Sequence, residues 1–399
     1  MSPAVDCDAT GRRLIVTTGV KGADRLTREE RAIGREDRLP YDRTVLSKYA
    51  LSGTQGGEKS PLQDAAFYAR HRIERRVGEV ASVDAGARAV VFADGARLAY
   101  DAALVATGGV PRPLELPGAG LDGVFLLRTA DDAERIVVAA GGAKRAVVLG
   151  AGFIAMEAAA SLCERGLGVT VVAPQQAPFE KQLGAEVGGA FRRLHERQGV
   201  AFRLGAQAAA IEGEGRVQAV VLKDGSRLPA ELVVAGLGVR PATEMLRGVE
   251  RREDGGVTTD AGLGIGPGLF AAGDIAAFPL RGDGASVRVE HWRVAEQHGR
   301  VAALNMLGRR VAYDAVPYFW TIHFKKRLDY AGHAEKWDEV VIDGELETPD
   351  FAAFYVQDGR VAAVAGWGRD RAMVAAIGLL AERRDWTAAG LRDALRAWA

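Results

Sequence analysis

Short apolar runs separated by polar, glycine-containing turns set the texture of this chain. Runs at 89–92, 102–106, 146–149, 169–172, 218–222 and 232–235 predict strands. Several are continuous rather than alternating, as expected of strands buried on both faces of a parallel sheet. Helical spacing at 130–140, 154–165 and 187–198 falls between them. Strand alternating with helix predicts α/β layering. Asp94-Gly95 and Asp224-Gly225 each stand between two apolar runs, and Asp-Gly supplies the positive-φ residue of a hairpin turn. Each hairpin leads into a run ending in small residues, Ala106-Thr107-Gly108 and Gly236-Leu237-Gly238. One plan is used twice. Pro111-Arg112-Pro113 and Arg240-Pro241 follow these runs and mark candidate domain crossings. Beyond Tyr313 an aromatic-rich stretch at 316–324, strand-like runs at 339–342, 351–355 and 361–365, and a helix at 371–380 predict a small α+β domain.

Size and composition narrow the picture a little. A chain of 399 residues holds two to three domains at roughly 100–200 residues each. Lys+Arg 52 balances Asp+Glu 52, so global charge points neither to nucleic acid nor to an anionic membrane. Gly 50 is high, which suits many tight strand–helix turns. The only cysteines are Cys7 and Cys163. Without a Cys-x-x-Cys, dithiol relay chemistry and a cysteine-ligated metal are both unsupported. Cysteine scarcity fits a reducing compartment. The first 18 residues mix acids and arginines and lack a signal-peptide apolar core. No apolar run reaches the ~18 residues that span a bilayer. The expectation is a cytoplasmic protein.

The strongest chemical signal is Val147-Val148-Leu149-Gly150-Ala151-Gly152-Phe153-Ile154-Ala155-Met156-Glu157. A strand runs into G-x-G-x-x-A and straight into a helix, and a second strand follows at 169–172. Gly150 permits the tight turn, Gly152 lets the backbone approach a pyrophosphate, and Ala155 allows close helix–strand packing. The helix N-terminus then offers unpaired N–H groups and the positive end of its dipole to the phosphates. The full βαβ context makes this motif far more specific than its glycines alone. The acidic residue expected at the end of the second strand is replaced by Ala173. A ribose 2′-hydroxyl loses its acceptor there and a 2′-phosphate meets no repulsion. Gln175, Gln176 and Lys181 stand nearby, so the choice between NADH and NADPH stays open. A second signal, Leu269-Phe270-Ala271-Ala272-Gly273-Asp274, is an apolar strand ending in a carboxylate that can meet a hydroxyl-rich ligand.

Taken together, these motifs resemble those of the two-dinucleotide flavoprotein reductases. More closely, the chain is similar to the ferredoxin reductases of aromatic-ring dioxygenase systems and their apoptosis-inducing-factor-like relatives. Besides the two motifs above, the resemblance rests on Glu36-Asp37-Arg38-Leu39-Pro40-Tyr41-Asp42-Arg43, Leu46-Ser47-Lys48, Ala106-Thr107-Gly108-Gly109 and Glu290-His291-Trp292. Gly299-Arg300-Val301-Ala302-Ala303 and Val316-Pro317-Tyr318-Phe319-Trp320 complete it, over about residues 36–384.

The resemblance implies an α/β fold with two Rossmann-like dinucleotide-binding domains and a small α+β C-terminal domain. Residues 1–113 and 242–315 would form the FAD-binding domain, 114–241 the NAD(P)-binding domain and 316–399 the C-terminal reductase domain. It places Glu36, Arg43, Lys48, Thr107, Arg112, Asp274, His291, Trp292 and Trp320 around FAD. Gly150, Gly152, Phe153, Ile154, Glu157 and Gly238 would serve NADH or NADPH. Electrons would pass from NAD(P)H through flavin to a ferredoxin-type or similar carrier, with Lys48 and Glu157 as the catalytic pair. A lysine ammonium near a flavin ring would stabilise the negative charge that develops on reduction, and a Lys48–Glu157 ion pair is expected between the two cofactor sites. Hydride transfer to flavin needs no general base, so His291 is read as positioning. Lys325-Lys326-Arg327 could steer an acidic ferredoxin to its dock. An NAD(P)H oxidase or quinone-type reductase on the same scaffold is the nearest alternative, and a flavin-free nicotinamide-binding protein is another. Oligomeric state is not readable.

One element breaks the pattern. The family opens with a further strand–G-x-G-x-x-G–helix for the FAD pyrophosphate, expected before Glu36. Residues 14–18 could be its strand, but Gly19-Val20-Lys21-Gly22-Ala23-Asp24 has the wrong glycine spacing. From Gly19 to Glu36 is 17 positions, against 23 from Gly150 to Ala173. The deficit exceeds one and a half turns at ~3.6 residues per turn. Residues 25–31 are mostly charged, without an apolar stripe. The first βαβ unit is therefore expected to be degenerate, through a frame-shifted or truncated N-terminus or through a weakened FAD site.

Overall fold

A computed structural model describes residues 14–17, 30–54, 61–280, 286–348 and 350–397. The chain divides into two compact units. The first takes residues 1–42, 61–110 and 239–317, and the second takes 43–60, 111–238 and 318–399. Residues 43–60, which follow the first segment in sequence, thus cluster with the nicotinamide motif and the C-terminal strands.

The first unit is built on a six-stranded sheet. Its order is Gly264–Gly266, Leu269–Ala271, Ala102–Val105, Leu14–Thr17, Glu30–Gly34 and Ile73–Val77. All neighbours from Leu269–Ala271 onward are parallel. The chain steps outward from Leu14–Thr17 and then returns to that strand's other side, the order of a doubly wound dinucleotide fold. Ala102–Val105 is buried along its whole length, as its continuous apolar run predicts. The Asp94-Gly95 turn joins Ala89–Phe92 to Arg97–Ala99, with Gly95 at φ 85°. The Trp292–Met306 helix, not anticipated as a helix, packs Val294, Ala302, Ala303 and Met306 into the core beside Leu104 and Phe278.

The first βαβ unit has the short connection that the sequence predicts. Both strands of the first unit are present, with Leu14 facing Glu30 and Ile15 also facing Ala103. Leu14 and Glu30 stand 16 positions apart, whereas Arg145 and Gly168, the matching pair of the nicotinamide sheet, stand 23 apart. The connection is short, but the sheet it serves is whole. The Gly19–Asp24 spacing lies outside the described residues.

In the second unit five parallel strands run in the order Ala201–Leu204, Gly168–Ala173, Arg145–Leu149, Leu232–Ala235 and Val124–Leu126. The helices Ala130–Gly141 and Phe153–Glu164 lie where the periodicity predicts them. The Glu180–Arg197 helix starts earlier than predicted and is interrupted at Gly184, whose φ of 79° only glycine adopts easily. The C-terminal residues form a five-stranded antiparallel sheet, Tyr318–His323, Lys326–Gly332, Arg360–Trp367, Asp350–Gln357 and Glu339–Glu345 in spatial order. The predicted Asp370–Ala381 helix is joined by an unpredicted one at Ala388–Arg396. Among the described residues no helix is long and apolar enough to cross a membrane.

Three histidines are buried at 1% exposure or less: His195, His298 and His323. Burial pushes the His195 imidazole down to about 4 and that of His298 to about 3, and it holds His323 well below its usual value. Below about pH 6.5 each of them accepts a proton when unfolded and refuses it when folded. Each therefore costs about 1.4 kcal/mol of stability per pH unit as pH falls toward its folded value. Thermal unfolding between pH 6.5 and 4.5 is expected to show a steep loss of melting temperature. Replacing His298 with glutamine should reduce that slope.

Candidate functional site

In the first unit the candidate residues share one location. Glu36 lies two positions past Glu30–Gly34, Thr107 two past Ala102–Val105, and Asp274 three past Leu269–Ala271. These are the carboxyl ends of parallel strands, where open α/β sheets bind their ligands. Unlike Ala173 in the second sheet, Glu36 supplies a carboxylate just beyond its strand, and it accepts from the Tyr41 hydroxyl at 2.6 Å. The Thr107 hydroxyl donates to the Ala242 carbonyl at 2.5 Å. Asp274 sits in a tight turn opened by Gly273, φ 73°. The Gly273 amide donates to His298 Nδ1 at 3.3 Å, so this buried, neutral histidine ties the turn to the Trp292–Met306 helix. His291 is the N-cap of that helix and Trp292 its first residue. The switch-point sheet and its terminal carboxylates fit a dinucleotide.

The second unit holds the nicotinamide motif. Gly150 turns at φ 109°, and a Cβ there would overlap the Gly236 carbonyl oxygen. Ala155 packs so closely that a Cβ on Gly236 would lie 2.8 Å from its methyl. Gly152 differs, because a Cβ there would meet nothing within 4 Å. The protein does not need that glycine for its own packing, which leaves room for a group approaching from outside. Gly152 caps the Phe153–Glu164 helix without any side-chain bond, so the amides of its first turn face that space. Phe153 stacks on Phe179, ring centroids 4.9 Å apart, and Ile154 is half-buried. Gly238 lies past Leu232–Ala235 at φ 86°. Ala173, buried at 1%, ends its strand without a carboxylate. The backbone N–H of Gln176 donates to Glu180 Oε2 at 2.9 Å.

The same helix carries a second set of groups at a spacing of four: Glu157, Ser161 and Arg165. They grip the short π-helical turn Leu46–Ala50. Lys48 Nζ lies 3.0 Å from Glu157 Oε2, and Ser47 Oγ donates to the same oxygen at 2.5 Å. Ser161 Oγ lies 2.8 Å from the carbonyls of both Ser47 and Lys48 and shares its one proton between them. Arg165 reaches the carbonyls of Leu51 and Ala50. A π-turn leaves its carbonyls poorly served by its own helix, and the neighbouring helix supplies the donors. Thr321 Oγ1 donates to the other carboxylate oxygen, Glu157 Oε1, at 2.7 Å. Only 12% of the Lys48 side chain and 7% of that of Glu157 are exposed, so the pair is held in a fixed geometry away from bulk water.

The remaining expected residues are placed less tightly. Arg43 donates to the Arg128 carbonyl at 2.9 Å. Arg112 is exposed, its amide bound to the Gly238 carbonyl at 3.0 Å. Trp320 has the Arg327 guanidinium 5.0 Å from its ring centroid, while Arg327 Nε binds Asp329 at 2.9 Å. Arg327 is thus committed to its own sheet, and only Lys325 and Lys326 of the basic triplet stand exposed without that commitment.

Two family models match the chain. Residues 17–299 match the model described as pyridine nucleotide-disulphide oxidoreductase, and residues 318–397 match reductase C-terminal. The chain belongs to the pyridine nucleotide-disulphide oxidoreductase family. Within it, the chain is 38% identical to apoptosis-inducing factor 3 of Mus musculus over 388 residues, which is 93% of this chain and 63% of that protein. It therefore spans under two thirds of that relative. It is 33% identical to the biphenyl dioxygenase system ferredoxin–NAD(+) reductase component of Paraburkholderia xenovorans, covering 96% of this chain and 93% of that one. Among solved structures, a ferredoxin reductase from Rhodopseudomonas palustris superposes with a TM-score of 0.87 at 30% identity, over 97% of this chain and all of the other. The reductase chain of a covalent putidaredoxin reductase–putidaredoxin complex gives 0.88 at 27%, over 97% and 99%. The family is named for disulphide chemistry, but this chain has no Cys-x-x-Cys.

Proposed function

We propose that the protein is an FAD-dependent NAD(P)H oxidoreductase that passes electrons to a ferredoxin-type carrier. The observation that carries this reading is the Lys48–Glu157 pair, 3.0 Å long and mounted on the nicotinamide-motif helix itself. A purely structural helix has no need of a buried carboxylate holding a lysine five residues past Gly152, whereas a site where negative charge develops has use for that lysine. FAD converts the two-electron chemistry of NAD(P)H into one-electron steps. Glu36, Thr107, Asp274, His291 and Trp292 of the first unit are assigned to hold it, and the family resemblance adds Arg43, Lys48, Arg112 and Trp320. Gly150, Gly152 and the helix amides take the pyrophosphate of NAD(P)H, with Phe153, Ile154 and Gly238 around the rest. Glu157 keeps Lys48 oriented. With Ala173 in place of an acid, both NADH and NADPH are accommodated. Scarce cysteine favours the cytoplasm as the compartment.

The acceptor reading is tested by electron delivery. With an acidic [2Fe–2S] ferredoxin as acceptor, turnover should fall with ionic strength, as steered association does. Charge reversal at Lys325 and Lys326 should raise the ferredoxin KM, lower kcat/KM about tenfold at low salt and flatten that dependence. Equal rates with the reversed protein at every salt concentration would remove the docking surface. Fast reduction of oxygen or a quinone with none of ferredoxin would favour the oxidase or quinone reductase.

A further inference from the structure

The network around Glu157 does not end at Thr321. His323, two residues further along the same strand, is fully buried at 1% exposure, and its Nε2 lies 2.8 Å from Thr321 Oγ1. A threonine hydroxyl has one proton to give. That proton is committed to Glu157 Oε1, which can only accept, at 2.7 Å. The Thr321 oxygen must then accept from His323, so the imidazole proton sits on Nε2. Nδ1 makes no hydrogen bond of good geometry, and the Met156 carbonyl is the backbone group that acts on the ring. Its surroundings keep the ring from escaping this state: Phe191 and His195 pack against it with ring centroids 5.0 and 5.1 Å away. His195 itself faces two carbonyls, Phe191 O at 2.9 Å and Met156 O at 3.3 Å. The alternation of Tyr318–His323, with Phe319, Thr321 and His323 buried and the residues between them half-buried, points both members of the chain to one side.

We propose that His323, as the neutral Nε2–H tautomer, is a positioning residue that fixes the direction of the Thr321 hydroxyl and so orients the Glu157 carboxylate that holds Lys48. A neutral donor at this position adds no charge to the buried pair, and a residue that cannot donate would let the threonine hydroxyl rotate away. The link from His323 to Lys48 stands on the hydrogen bonds alone. Its consequence for flavin reduction rests on the reductase reading above.

Two measurements test it. Nitrogen NMR of holoenzyme labelled in its imidazoles should assign His323 as neutral and protonated on Nε2 at pH 7. A ring protonated on Nδ1, or on both nitrogens, would overturn the proposal whatever the cofactor. In the second, Lys48 is labelled with an amine-reactive reagent and the reaction followed by mass spectrometry. His323→Met and Thr321→Val should raise the Lys48 labelling rate several-fold and slow flavin reduction by NAD(P)H about tenfold with the coenzyme Kd unchanged. His323→Gln, whose amide donates from a similar reach, should restore both. Equal behaviour of the Met and Gln variants would mean that His323 only fills space. If labelling follows the prediction while NAD(P)H reduces no flavin in any variant, the positioning chain stands and the reductase reading fails.

Discussion

Replacing Lys48 with methionine is expected to slow reduction of the bound flavin by NAD(P)H on the order of 10²-fold, the scale of losing one preorganised electrostatic donor. Coenzyme affinity should hardly change, because Lys48 acts where charge develops and not where the pyrophosphate binds. Stability should fall as well. Glu157 would keep Ser47 and Thr321 as donors but lose its cation at 7% exposure, and breaking such a pair costs about 3–5 kcal/mol. The double variant Lys48→Met/Glu157→Gln separates the two effects. It should regain most of the melting temperature and none of the rate. Stopped-flow reduction alongside thermal unfolding reads both, and a single variant that reduces its flavin at the wild-type rate would remove Lys48 from the mechanism.

The second large effect is expected at Gly150. An alanine or valine there would have to adopt a φ of 109°, which L-residues rarely accept, and would press its Cβ into the Gly236 carbonyl. The turn must open, and with it the line of amides at the head of the Phe153–Glu164 helix. Gly150→Val should weaken NAD(P)H binding at least about 100-fold, comparable to removing several charge-assisted hydrogen bonds. Bound flavin should remain. Gly152→Ala makes the informative comparison, because its Cβ has open space in the protein. It should fold as well as wild type and still bind coenzyme poorly. Titration calorimetry with NADH and NADPH on both variants would show this. Normal binding by Gly152→Ala would mean the coenzyme does not approach that backbone.

Much of this arrangement was legible in the residues, for physical reasons that also mark the limits. The strands at 146–149, 169–172 and 232–235 are apolar runs because both faces of the sheet are covered, and the structure buries every residue of them but Thr170, which is half-buried. The nicotinamide turn was legible because its glycines answer to stereochemistry. Pairing of Lys48 with Glu157 came through family resemblance, since residues 109 positions apart leave no local trace of their contact. The grip of Ser161 and Arg165 on the 46–50 turn went unseen, although three polar groups spaced by four on an alanine-rich helix were a usable signal. The π-turn itself has no sequence signature. The Glu30–Gly34 strand is not legible, because Glu30 and Arg31 close the charged stretch 25–31 and its strand character comes from pairing with Leu14–Thr17 and Ile73–Val77 rather than from its own residues. His298 and His323 were missed because nothing near them in sequence announces burial, and only their tertiary surroundings assign a tautomer.

The visible spectrum of the purified protein tests the central claim most directly. The account predicts a yellow protein with bound FAD, either as isolated or after incubation with the cofactor, whose absorbance bleaches on anaerobic addition of NADH or NADPH. A protein that stays colourless after incubation with FAD, or a yellow one that neither coenzyme bleaches, would contradict it.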